Sequence, residues 1–96
     1  MNGMNSLVIR KIGVKIMLTK DIKKGDRFQL RNGWFGTMKD NGRGVSRLAE
    51  IEGVFTEIGS VYSFEIEKVF KGEQVFSVEL TDKEKQVQRM NEEIFG

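Results

Sequence analysis

The sequence predicts an all-β fold, or a β-dominated α+β one: a small barrel of about five to six antiparallel strands with a C-terminal helix. Three observations lead there. Between Lys24 and Gly59 short alternating runs are broken by glycine at positions 25, 33, 36, 42, 44, 53 and 59, which is how short, tightly turned strands are written. On both sides of that stretch apolar and polar residues alternate with a period of two, the repeat of a half-buried strand. After Thr81 the period changes to that of a helix.

Residues 1–6, MNGMNS, read as a loose tail, 7–80 as the barrel and 81–96 as a helix docked on it. Ile12, Val14, Ile16 and Leu18 alternate with Lys11, Gly13, Lys15 and Met17, while Leu7 and Ile9 lie in the opposite phase, so a bulge or turn is expected near Arg10–Lys11. Met17 is also a second possible translational start, which would make the first sixteen residues dispensable. Thr19–Lys24 is a polar connector with Ile22 as a plug into the core. Over 26–31, Phe28 and Leu30 point inward and Arg27, Gln29 and Arg31 outward. Asn32-Gly33 signals a hairpin with a type I′ turn, Trp34–Lys39 is the returning strand, and Asp40–Gly44 is a longer, looser turn.

Val45–Glu52 forms the next strand, with Val45, Ala49 and Ile51 on one face. Gly53 is expected to bend or bulge it, Val54–Ile58 to continue the sheet and Gly59-Ser60 to turn it. Val61–Ile66 alternates with Tyr62, Phe64 and Ile66 on one face. Val69-Phe70, the turn Lys71-Gly72-Glu73 and Val75–Leu80 read as a last hairpin with Phe76, Val78 and Leu80 inward. Thr81-Asp82-Lys83-Glu84 fits a capping box. It opens a helix over 82–94 with a thin stripe of Val87, Met90, Asn91 and Ile94.

The 96 residues make one domain with a modest core. Without cysteine there are no disulfides and no thiolate metal sites, and without histidine the commonest general base and metal ligand are missing. No transmembrane span or signal peptide is expected. The expectation is a cytoplasmic protein (host cytoplasm if phage-encoded) that is not an enzyme, with no cofactor, no metal, no membrane partner and no small-molecule substrate. Net charge is +2, but its layout is polar. Residues 1–48 hold eleven Lys and Arg against three Asp, a balance of +8, and residues 49–96 hold five against eleven Asp and Glu, a balance of −6. That pattern suits an anion-binding face beside an acidic flank, or two halves whose charges neutralise each other across strands.

The candidate ligand-binding surface is basic and aromatic: Arg27, Arg31, Asn32, Trp34, Lys39, Arg43 and Arg47. Arginine neutralises phosphate and an exposed ring stacks on a base, and the same residues dominate protein interfaces. The competing reading puts Trp34 in the core, where tryptophan is usually found, and leaves the arginines on a solvated face. The loop DNGRG, 40–44, lacks the further acids of a calcium loop and no helix follows it to hold a phosphate, so it reads as a turn. Glu50/Glu52 and Glu65/Glu67 each share a strand face, which is also how the solvent side of a sheet is written. With no nucleophile–base pattern beside them, they do not indicate catalysis.

Lys24-Gly25-Asp26-Arg27-Phe28, followed by Asn32-Gly33 and Gly36, resembles the opening of KOW-like and other SH3-like small barrels. Gly59-Ser60-Val61-Tyr62 with Ile66 and Val69 resembles their closing strands, where a strand ends, makes a short helical turn and resumes. The resemblance covers residues 20–70, although the second strand, WFGTMKD, is less valine-rich than the KOW pattern. In size, charge and its RNGW and GSVY segments the whole chain also resembles small uncharacterised proteins of bacteriophages and mobile elements. The leading expectation is a non-catalytic binding module for nucleic acid or a nucleoprotein complex. The alternatives are a protein-interaction adaptor, such as a phage factor acting on a host protein, and a structural component that self-assembles positive face to negative face.

Overall fold

The computed structural model of the chain describes residues 15–42 and 44–95. The tail at 1–6 and the bulge expected near Arg10–Lys11 lie outside them. The elements are β1 (Lys15–Leu18), a 3-10 turn (Thr19–Asp21), β2 (Arg27–Leu30), β3 (Phe35–Asp40), β4 (Ser46–Glu52), β5 (Thr56–Tyr62), a second 3-10 turn (Ser63–Glu65), β6 (Ile66–Lys71), β7 (Gln74–Glu79) and α1 (Asp82–Phe95). The β-dominated class and the C-terminal helix are as expected. The strand number and closure are not: seven strands form one sheet in the order β1-β7-β6-β2-β3-β4-β5. Among the described residues the sheet is open, with β1 and β5 as its edges. Nor is it wholly antiparallel, because β1 pairs with β7 in parallel, Lys15 opposite Phe76 through Leu18 opposite Glu79. The β6–β7 hairpin leaves its outer edge free, and β1 covers it.

Alternation puts one side of each strand into a common core. Phe28 lies opposite Gly36 and Val69, Gly36 opposite Ile51, and Met38 opposite Ala49. Phe28, Met38, Ala49, Phe64, Ile66 and Val69 are wholly buried, and Ile22 plugs this core as expected. Burial of such side chains is the main favourable term in a chain of this size.

The turns correct several expectations. At 30–34 the Gly33 amide donates to Leu30 O (2.9 Å) and the Leu30 amide to Trp34 O (2.7 Å). Gly33 has a φ of +92°, but no non-glycine residue has positive φ among the described residues. A type I′ turn needs positive φ at Asn32 as well, so the loop is a type I turn closed by a left-handed Gly33, a three-residue hairpin. The Asn32 Oδ1 accepts from the Trp34 amide at 2.9 Å and stiffens it.

Gly59 and Ser60 do not turn the chain. They sit within β5, opposite Ala49 and Leu48, because pairing with β4 overrides the local preference of glycine. The actual hairpin tip is Gly53–Phe55, where the Gly53 amide donates to Phe55 O at 3.2 Å. Val54 and Phe55, read as strand for their apolarity, are its exposed apex. Beyond Tyr62 the alternation breaks at the second 3-10 turn. Phe64 and Ile66 are buried, but Tyr62 stays exposed and stacks on Phe64 at 5.0 Å. Glu65 therefore lies in a turn and does not share a strand face with Glu67.

The capping box at the start of α1 is present. The Glu84 amide donates to Thr81 Oγ1 (3.2 Å), and the Thr81 amide donates back to Glu84 Oε1 (3.0 Å). The apolar stripe docks only at its beginning: Val87 packs on the core, while Met90 and Ile94 are exposed.

Candidate interaction surface

The seven residues singled out in the sequence do not form one wall. Arg27 projects from the outer face of β2, but its guanidinium is held by Glu52 through two contacts, Nη1 to Oε2 at 3.0 Å and Nη2 to Oε1 at 3.2 Å. It also lies 4.7 Å above the Phe35 ring centroid. Arg31 Nε donates to Phe64 O at 2.9 Å and its amide to Glu65 O at 2.9 Å, tying the end of β2 to the second 3-10 turn. Asn32 is used in its own turn. Lys39 is exposed towards the far end of β3. Arg43 lies outside the described residues. Arg47 faces the core side of β4 and is only 5 % exposed. Only Arg31, Asn32 and Trp34 come together, within one turn.

Trp34 is the residue where the core reading gives way: it is 45 % exposed. One face of its ring rests on Gly53, where a Cβ would stand 2.4 Å from ring carbon Cζ3. Glycine is required there by the closeness of the indole. The ring thus joins the β2–β3 turn to the β4–β5 hairpin and leaves its other face to solvent.

Sequence reasoning missed what lies next to it. The hairpin apex exposes Val54 (82 %) and Phe55 (78 %). Along β5, Ile58 and Tyr62 share the outer face with Leu48 of β4, since Ser46 pairs with Tyr62, Leu48 with Ser60 and Glu50 with Ile58. All three of these apolar side chains are exposed. The outer backbone edge of β5 has no partner strand among the described residues. Where β5 approaches the end of β2, a cleft of about 390 Å³ opens, lined by residues including Leu30, Asn32, Ser60, Val61, Tyr62 and Glu65. The available signal was the run Val54-Phe55 between Gly53 and the alternating 56–62 segment, which marks a hairpin apex as readily as a strand.

A second polar centre lies at the start of α1. Glu84 is buried, and its carboxylate accepts from Thr19 Oγ1 (2.7 Å), Ser63 Oγ (2.6 Å), the Thr81 amide (3.0 Å) and Thr81 Oγ1 (3.2 Å). Burial alone would raise its pKa. The hydrogen bonds from Ser63, Thr81 and Thr19 outweigh burial and hold the carboxyl below its ordinary value. Burial lowers the pKa of Arg47, and the charge of Glu84 opposes that only in part.

No helix among the described residues is long and apolar enough to cross a membrane. Comparison with protein-family models, with curated proteins and with solved structures gave no match.

Proposed function

We propose that the chain is a non-catalytic protein-interaction module. It takes its partner along the free edge of β5 and the apolar apex of the β4–β5 hairpin, on an SH3-like scaffold. The observation that carries this reading is the exposed apolar group Val54, Phe55, Ile58 and Tyr62 beside a strand edge that has no partner among the described residues. Contiguous apolar surface of this kind marks interaction sites, and an open edge accepts an added strand through backbone hydrogen bonds. The 3-10 turn between β5 and β6 supports the SH3-like scaffold. Nucleic acid as the ligand is favoured less by the same geometry. Arg27 is engaged by Glu52, Arg47 is withdrawn from the outer surface, and Arg31 is tied to a backbone carbonyl, so of the described cations expected on one outer wall only Lys39 stands exposed without a partner among the described residues.

The test is capture from a bacterial lysate by the immobilised chain, with and without nuclease and across a salt series. A protein partner retained after nuclease treatment and at high salt, and lost in the Phe55→Asp/Ile58→Lys variant, is the expected result. Retention that disappears with nuclease and falls steeply with salt would instead indicate a polyanion ligand. Sedimentation of the pure chain at several concentrations separates self-assembly from both.

A further inference from the structure

A cavity of about 240 Å³ lies between the first turn of α1 and the segment 44–47, with Lys20, Arg47, Thr81, Lys83 and Glu84 in its lining. Arg47 is 95 % buried, yet its guanidinium has no carboxylate within ion-pair distance among the described residues. Its Nη1 donates to Gly44 O (2.7 Å) and Ser46 O (2.9 Å). Its Nε is sealed from solvent and has no acceptor among the described residues. Glu84 does not supply that acceptor, because both of its oxygens are already taken by Thr19, Ser63 and Thr81.

A buried charge whose nearest counter-charge, here Glu84, stays outside ion-pair contact is costly, and proteins normally pair such groups directly. Arg47 is also one of the residues lining the cavity. Lys20 and Lys83 stand exposed at its lining, and α1, 14 residues long, begins beside it and adds the partial positive charge of a helix N-terminus.

We propose that this cavity is a site for a phosphate-class oxyanion, free phosphate or a phosphate monoester, held on the Arg47 guanidinium with Lys20 and Lys83 completing its coordination. Three cations face one carboxylate in the lining, and that surplus suits a dianion. Guanidinium is the side chain whose fork matches phosphate oxygens.

The experiment follows the Arg47 Nε–H signal by NMR, together with the thermal midpoint of the full chain. Inorganic phosphate, phenyl phosphate and sodium chloride are titrated separately at matched ionic strength. The expected result is a saturable movement of the Arg47 signal with phosphate but not chloride. The midpoint should rise by about 6–11 °C at phosphate tenfold above half-saturation. The relative affinity for phenyl phosphate distinguishes a monoester site from a phosphate site. The Lys20→Glu/Lys83→Glu variant changes only exposed residues and leaves the buried network intact, and it should bind at least tenfold more weakly. An Arg47 signal that phosphate does not move, an equal response to chloride, or an undiminished response in the double variant would each overturn the proposal. Arg47→Met, checked for folding by circular dichroism, should abolish the midpoint shift.

Discussion

Glu84 receives hydrogen bonds from three segments far apart in sequence, at Thr19, Ser63 and Thr81. Glu84→Gln keeps the shape but puts an amide donor against hydroxyls that now donate, and it should cost about 2 kcal/mol at neutral pH, read by urea unfolding. The folded-state pKa lies below the ordinary value of 4.5. The ionised carboxylate's contribution is therefore fully present above that value and is lost as pH falls through the lowered folded one. The gap between wild type and variant should accordingly narrow under acid. Half of this site was legible. The Thr81–Glu84 box is local and readable, whereas hydroxyls 65 and 21 residues away could not be assigned to it before the fold was known. Arg47 was legible in principle, since it shares strand parity with Ala49 and Ile51 and alternation alone points it inward. Its charge argued for the surface, and the geometry of the β4 ladder prevailed.

At the scale of elements, α1 is held by its first turn and Val87, with its later apolar residues in solvent. Met90→Lys combined with Ile94→Lys should change stability by less than about 0.5 kcal/mol, while Val87→Ala should cost about 1 kcal/mol, both measured by chemical denaturation. The periodicity gave the helix limits to within one residue, 82–94 expected against Asp82–Phe95, but it could not say how far along the stripe the core extends. β5 shows the converse. Gly59 is a turn signal locally and a strand residue in fact, because the ladder with β4 runs from Glu52↔Thr56 to Ser46↔Tyr62 without interruption.

For the molecule as a whole, the two oppositely charged halves interleave. Arg27 of the basic half meets Glu52 of the acidic half, and Asp26 meets Lys71. The alternative weighed from composition, neutralisation of one half by the other, describes the Arg27–Glu52 pair; Asp26–Lys71 joins the minority charge of each half. Since Arg27 and Glu52 are both well exposed, raising sodium chloride from low concentration to about 0.5 M should change unfolding free energy by less than about 1 kcal/mol. The β-rich class and the terminal helix could be read from period and glycine spacing. Closure and strand order could not, because they depend on which distant edges meet, and no short-range pattern encodes the meeting of β1 with β7.

That meeting has a mechanical consequence. β1 and β7 run side by side in the same direction; β1 is the first and β7 the last strand of the described chain, with α1 following β7. Tension applied at the two termini would therefore drag them past one another lengthwise, straining their cross-links all at once instead of peeling them apart in turn. The seam would act as a clasp: the region between it is shielded from a pulling force until those few bonds rupture together.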